Sequence, residues 1–263
     1  MRTNPKVRSF AADVGSACTV VPAQSGAVDR ANSVAQELGL RVEKSVSVAS
    51  GSVALIIDQE DAWLQEINAN RPGPVKVDFA SPAMMHRRKG GQNEMLGRAI
   101  GIKGNRHPWV FDATAGLGRD AYVLADLGCN VTLVERSAVL AFVLQEGLNR
   151  AVISQFNEVR EAAARMSVRC EDSTEICATP DQVIYLDPMF EERKGTAASK
   201  KDLSVLQALH GHHADDQRLI DWAFAQPVSR IVVKRPLKAP PLTVSPPSHA
   251  LKGKSVRFDV YVR

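Results

Sequence analysis

The stretch Trp109-Val110-Phe111-Asp112-Ala113-Thr114-Ala115-Gly116-Leu117-Gly118-Arg119-Asp120-Ala121 decides the fold. It opens as an apolar run that ends in an acid, passes through two glycines one residue apart, and leads into a helical segment near Asp120 to Leu127. A strand that turns through glycines into a helix is the first unit of an open α/β sheet, and such sheets bind ligands outside the carboxyl ends of their strands. Dinucleotide-binding proteins place GxGxxG at this turn to grip a pyrophosphate. Here only Gly116 and Gly118 stand in the turn, and Asp112 precedes them. A carboxylate repels a pyrophosphate but pairs with a cationic amino-acid moiety, such as that of S-adenosylmethionine. An ordinary tight turn between strand and helix is the alternative.

The chain on either side sets the architecture. Downstream, strands are expected at Asn130 to Val134, Val168 to Cys170, Gln182 to Leu186 and Arg230 to Val233. Helices are expected at Ala138 to Arg150, Glu158 to Met166, within Ala198 to Leu209, and at Asp215 to Ala225. Strands alternating with helices of this length imply a parallel, doubly wound sheet. Val256, Phe258 and Val260 then alternate with polar residues after a Lys252-Gly253-Lys254 turn, which predicts a terminal antiparallel hairpin. Upstream, Asp29 is expected to cap a helix that stops at Gly39, with strands at Ser52 to Asp58, Ala62 to Ile67 and Val75 to Phe79. The expected division is a small α/β domain over 1–75, a basic connecting segment with a helix near Glu94 to Ile100 over 76–107, and a Rossmann-like domain over 108–263.

Three more features fall at strand ends. Glu135 closes Val131-Thr132-Leu133-Val134-Glu135 about twenty residues after the glycine turn, where an acid accepts hydrogen bonds from ribose hydroxyls. Asp172 and Ser173 follow the next strand and offer a carboxylate and a hydroxyl to an adenine edge. Tyr185-Leu186-Asp187-Pro188-Met189-Phe190 delivers an acid, a proline and an aromatic into the same crevice, as in amino-methyltransferases with a [DN]PP[YFW] signature. The residue types suit a planar exocyclic amine, whose lone pair is delocalised into its ring. Acceptors at Asp187 and the Pro188 carbonyl can bond the amine hydrogens, proline stiffens the turn, and Phe190 can stack on a base at ~1–3 kcal/mol.

Composition limits the remaining classes. The chain has 263 residues, 44% of them hydrophobic, and a formal net charge of +4, which permits a polyanion partner without demanding one. Basic residues cluster at Arg87-Arg88-Lys89 and at Lys234-Arg235, which are expected to flank the crevice and meet RNA phosphates. Cys18, Cys129, Cys170 and Cys177 form no CxxC pair, so no metal is expected. No apolar run approaches the ~20 residues of a membrane helix, and the basic start MRTNPKVRSF lacks the apolar core of a signal peptide. A cytoplasmic address is expected.

With these residues assembled, the chain resembles the bacterial 16S rRNA guanine-N2 methyltransferases, the ribosomal RNA small subunit methyltransferase J family. The resemblance runs from about Val77 to the end and rests on VDFASPAMMHRRKGG, FDATAGLGRDA, LVER, VIYLDPMF, IVVKRP with APPL, and KGKSVRFDVY, in that order. It implies a class I methyltransferase fold with a seven-stranded mixed sheet and a small amino-terminal domain. It also implies S-adenosylmethionine contacts at Arg119, Asp120, Glu135, Arg136, Asp172, Ser173 and Asp187, release of S-adenosylhomocysteine, and 16S rRNA or the small subunit as partner. Where the family continues DPMF with proline, this chain has Glu191; its basic segment continues as Gly90-Gly91-Gln92-Asn93 where the family has a Gly-Arg-rich run. The residues alone leave open methylation of adenine N6 or a glutamine amide, and a catalytically silent RNA-binding module.

Overall fold

The computed structural model describes residues 17–46, 52–67, 73–88, 90, 92–188, 197–210, 216–240, 242 and 246–263. Phe190 and Lys89, both expected site residues, lie outside this set. The described residues fall into two compact units that are not continuous in sequence. The first draws on Met1–Val77, Arg136–Gly147 and Lys194–His213; the second draws on Asp78–Glu135, Leu148–Arg193 and Ala214–Arg263.

In the first unit, β1 (Cys18–Pro22), β2 (Val53–Ile57) and β3 (Ala62–Glu66) form a sheet in that order. β1 runs parallel to β2, and β3 runs antiparallel to it. All five residues of β2 are buried, as a central strand covered on both faces requires. α1 (Val28–Leu38) buries Ala31, Val34, Ala35 and Leu38, and Gly39 ends it in the left-handed region at φ 67°. Asp29 is not the cap expected of it: a 3-10 turn over Ser25–Ala27 leads into the helix and Ala27 holds the cap position. Asp29 lies in the first turn instead, where its charge meets the positive end of the helix dipole. β1, which the sequence reading did not mark, pairs in parallel across a distant loop. The strand expected at Val75 to Phe79 reduces to one bridge between Val75 and Leu64, because Asp78 turns the chain by accepting from the Ala80 N–H.

The second unit holds the larger sheet. Its strands are β4 (Trp109–Asp112), β5 (Val131–Glu135), β6 (Met166–Cys170), β7 (Gln182–Leu186), β8 (Arg230–Pro236), β9 (His249–Lys252) and β10 (Val256–Val262). They lie in the order β6-β5-β4-β7-β8-β10-β9. β6, β5, β4, β7 and β8 are parallel, and β10 runs against both β8 and β9. Chain order reverses between β4 and β7, which makes a crevice at their carboxyl ends. The sheet's central residues, Phe111, Ile184, Leu186, Ile231 and Val233, pack with Ala223, Val228 and Tyr261 into one apolar cluster. α5 (Ala138–Val152) precedes α6 (Asn157–Ala163), and because α6 ends at Ala163, Met166 begins a strand rather than closing the preceding helix.

The basic segment contains two helices, α2 (Pro82–Arg88) and α3 (Gln92–Ile100), of which only the second was legible in the sequence. α4 (Arg119–Asp126) follows the glycine turn. Arg88 ties α2 to α4 and α6 through Asp126 at 2.8 Å and Glu158 at 3.2 Å. α7 (Ala197–His210) and α8 (Asp216–Ala225) complete the described helices.

Candidate active site

The crevice is lined by the ends of four parallel strands, each of which brings a polar residue. Gly118 has φ 69° and caps α4, and Gly116 has φ 52°, so the turn after β4 uses a left-handed conformation that favours glycine at both positions. That turn is held by carboxylates. Asp112 accepts from the Thr114 N–H at 3.1 Å, and Glu135 accepts from the Gly116 N–H at 3.0 Å. Both acids are 2% exposed. Burial pushes the Asp112 carboxyl up to about 8, against the Thr114 bond, and the nearby charges of Asp120, Asp187 and Glu135 add to the rise.

After β6, Asp172 caps the 3-10 turn Ser173–Glu175 by accepting from the Thr174 N–H and hydroxyl, at 2.8 and 2.7 Å. Ser173 is buried and donates its hydroxyl to the Ala113 carbonyl at 2.8 Å, so it fastens β6's loop to the glycine turn. Arg119 is exposed at the start of α4, and Arg136 belongs to the first unit.

At the end of β7, the Asp187 N–H donates to the Thr114 hydroxyl at 2.7 Å, and Pro188 is buried. A lysine stands between two acids here. Lys234 Nζ lies 2.9 Å from Asp187 Oδ2 and 2.6 Å from Asp120 Oδ2. The Tyr185 hydroxyl donates to the same Asp120 oxygen at 2.7 Å, and Arg87 pairs with the other. Burial opposes charge on Asp120, yet Lys234 and Arg87 outweigh it and hold the carboxyl far below its ordinary range. Burial likewise opposes the ammonium of Lys234, but Asp120 and Asp187 outweigh it and raise its affinity for the proton. Burial, with the carboxylates of Asp120 and Asp187 nearby, lifts the Tyr185 phenol well above its usual range, so it stays a donor.

The structure therefore moves several expected residues. β8 continues through Pro236, two residues beyond the prediction plus the proline, and this draws Lys234 and Arg235 into the sheet instead of leaving them on the crevice rim. Strand alternation sends them to opposite faces: Lys234 to the two acids, and Arg235, 3% exposed, to the Pro240 carbonyl at 2.8 Å. Arg87 and Arg88 are engaged with acids of α4. Tyr185 and Thr114 are site residues the sequence reading missed. Tyr185 carried a usable signal, because a residue two before Asp187 on a strand faces the same side; nothing in the sequence distinguished Thr114. Among the described residues no group of three His, Cys, Asp or Glu is placed to hold a metal.

A parallel sheet with one reversed strand near its edge, and acids at the ends of β4, β5 and β7, is the Rossmann-like fold of class I methyltransferases. The comparisons with known proteins make this specific. A family model described as "Putative SAM-dependent methyltransferase" matches residues 34–263. The ribosomal RNA small subunit methyltransferase J of Pseudomonas fluorescens is 42% identical over 233 residues, covering 86% of this chain and 89% of the relative. That of Pseudomonas syringae is 40% identical over 253 residues, covering 94% and 92%. The crystal structure of a SAM-dependent methyltransferase from Neisseria gonorrhoeae superposes with a TM-score of 0.71 at 29% identity, covering 93% of this chain and 96% of that one. The chain belongs to the ribosomal RNA small subunit methyltransferase J family, a family of SAM-dependent enzymes.

Proposed function

We propose that this enzyme methylates the exocyclic N2 of a guanine in 16S ribosomal RNA, in the cytoplasm, with S-adenosylmethionine as donor and no metal. The observation that carries the reading is Asp187, an acid at the switch-point crevice, anchored by Thr114 and Lys234 beside a buried proline. The residues present fit the cofactor: carboxylates at successive strand ends surround a glycine turn and suit an adenosine bearing a cationic amino-acid end. Asp112, Glu135 and Asp172 would hold it, with Gly116, Gly118, Arg119, Arg136, Ser173 and Asp187 completing the proposed set. When bound, S-adenosylmethionine supplies an electrophilic methyl group on a sulfonium.

The protein's own part is to make a poor nucleophile usable. The guanine must leave its stack or come from an open strand to reach the crevice. Asp187 and the Pro188 carbonyl accept the amine hydrogens, localise the lone pair and aim it, and Phe190 stacks on the ring. No strong base is needed, because the amine proton becomes acidic only as the nitrogen–carbon bond forms, and the Asp187 carboxylate then receives it. A carboxylate fixed in place before reaction stabilises that developing positive charge at little reorganisation cost. We place the RNA path along α2, where Arg87 and Arg88 stand and which Lys89 follows in the sequence, because Lys234 and Arg235 face inward. The Asp120 carboxylate already takes three donors, so we assign it to the support of Asp187 rather than to the cofactor's polar groups.

Mass spectrometry of nucleosides from ribosomal RNA of a strain lacking the protein tests the reading. One N2-methylguanosine of 16S rRNA should disappear and return with the wild-type gene. Loss of N6-methyladenosine, or of a protein glutamine methylation, would replace the substrate proposed here.

A further inference from the structure

We propose that Lys234 is the positioning residue of methyl transfer: shared between Asp120 and Asp187, it fixes the Asp187 carboxylate as the amine's acceptor. The inference rests on the assignment of Asp187 made above. β8 lies beside β7 in parallel register, with Val233 opposite Leu186, so Lys234 stands abreast of Asp187 one residue further on. Its side chain is 16% exposed and its ammonium has three donors and no acceptor. Two of them have known positions, Asp187 Oδ2 at 2.9 Å and Asp120 Oδ2 at 2.6 Å.

Asp120 is what determines where that ammonium sits. Its Oδ2 also receives the Tyr185 hydroxyl and its Oδ1 receives Arg87, so donors from β7, β8 and α2 fix the carboxylate from three directions. A lysine alone is a flexible point charge; one held against a fixed acid is a rigid contact for the second acid. Charge supports the same conclusion. Among the described residues, the titratable groups that face Asp187 include Lys234 from β8, Asp120 from α4, Tyr185 from its own strand and Asp112 from β4. Among these, Lys234 is the cation that touches Asp187. Without it no ammonium stands between the carboxylates of Asp120 and Asp187, and two carboxylates left facing one another favour a shared proton. A protonated Asp187 presents a donor where the amine needs an acceptor.

The test is single-turnover methylation of small-subunit rRNA by the full chain, at saturating cofactor, from about pH 5.5 to 9. Wild type, Lys234→Met, Lys234→Arg and Asp187→Ala are compared. Lys234→Met should be at least about thirtyfold slower at neutral pH, and its acidic limb should move up by about one unit or more. Lys234→Arg keeps the charge and should return the limb to the wild-type position. A uniform loss at every pH with the limb unmoved would show a purely structural role, and a raised KM with an unmoved limb would show an RNA phosphate contact; either overturns the proposal. Should Lys234→Met not fold, Asp120→Asn leaves Lys234 to Asp187 alone, and its limb should stay or move down; upward movement overturns the proposal. If Asp187→Ala keeps its rate, the assignment of Asp187 falls and this inference with it. If Asp187→Ala is inactive and the Lys234→Met limb does not move, only the inference falls.

Discussion

The two sides of the crevice hold their carboxylates differently. On the β4–β5 side, Asp112 and Glu135 are both 2% exposed and accept hydrogen bonds from main-chain N–H groups of the glycine turn. On the β7–β8 side, Asp187 meets the side chain of Lys234, which in turn meets Asp120, and Asp120 also accepts from Tyr185 and Arg87. Main-chain donors cannot be withdrawn without moving the backbone, so the first side is a fixed shape. Side-chain ion pairs respond to pH and to mutation, so the second side is a fixed charge arrangement only while every partner stays. In the function proposed above, the first side would hold the cofactor and the second would present the acceptor of the amine.

The largest effect is expected at Asp112, whose carboxyl burial pushes up to about 8. Its pKa is raised in the folded protein, so the folded state binds the proton more tightly than the unfolded chain, and stability falls as pH rises from about 4 to about 8. Between pH 5 and 8.5, urea unfolding of the cofactor-free protein should lose on the order of 3 kcal/mol more for wild type than for Asp112→Asn. Parallel pH profiles for the two would place a counter-charge on Asp112. Next comes Asp187→Ala, which should slow single-turnover methyl transfer at least a hundredfold, about 2.7 kcal/mol of barrier. Asp187→Asn should be slowed less, since an acceptor remains. A loss below tenfold in a folded, saturated variant would make the Asp187-Pro188 turn a scaffold and dissolve the contrast between the two sides.

Glu135→Ala removes an acceptor of the Gly116 N–H as well as a proposed ribose contact. It should weaken S-adenosylmethionine at least tenfold by calorimetry, about 1.4 kcal/mol. An unchanged affinity would move the cofactor off the β5 end. The smallest effects concern α2. Arg88→Ala should cost about 1 kcal/mol of stability through its pairs with Asp126 and Glu158, and leave cofactor affinity alone. Arg87→Ala and Arg88→Ala should each flatten the log–log salt dependence of RNA binding by about 0.7. Equal slopes for wild type and Arg87→Ala would confine Arg87 to its pair with Asp120.

Local sequence determined a good deal of this protein. Apolar runs, glycines and the alternation of Val256, Phe258 and Val260 define most of the large sheet, because strand and helix periods and turn stereochemistry act over a few residues. Strand-end acids at Asp112, Glu135 and Asp187 are legible for the same reason, since each closes or follows its own apolar run, and Asp172 stands two residues past the end of β6. What tertiary structure alone decided is which of these side chains meet. β1 was invisible because its pairing is non-local. In the sequence Lys234 and Arg235 form one basic patch, and only the pairing of β8 with β7 and β10 extends the strand through them and sends them to opposite faces. Likewise nothing near Asp120 in sequence signals that a lysine 114 positions away and an arginine 33 positions away converge on it. Sequence periodicity fixes which face a residue occupies within its own element, but the meeting of charges from β7, β8, α2 and α4 depends on strand order and register, which are set by packing of the whole sheet.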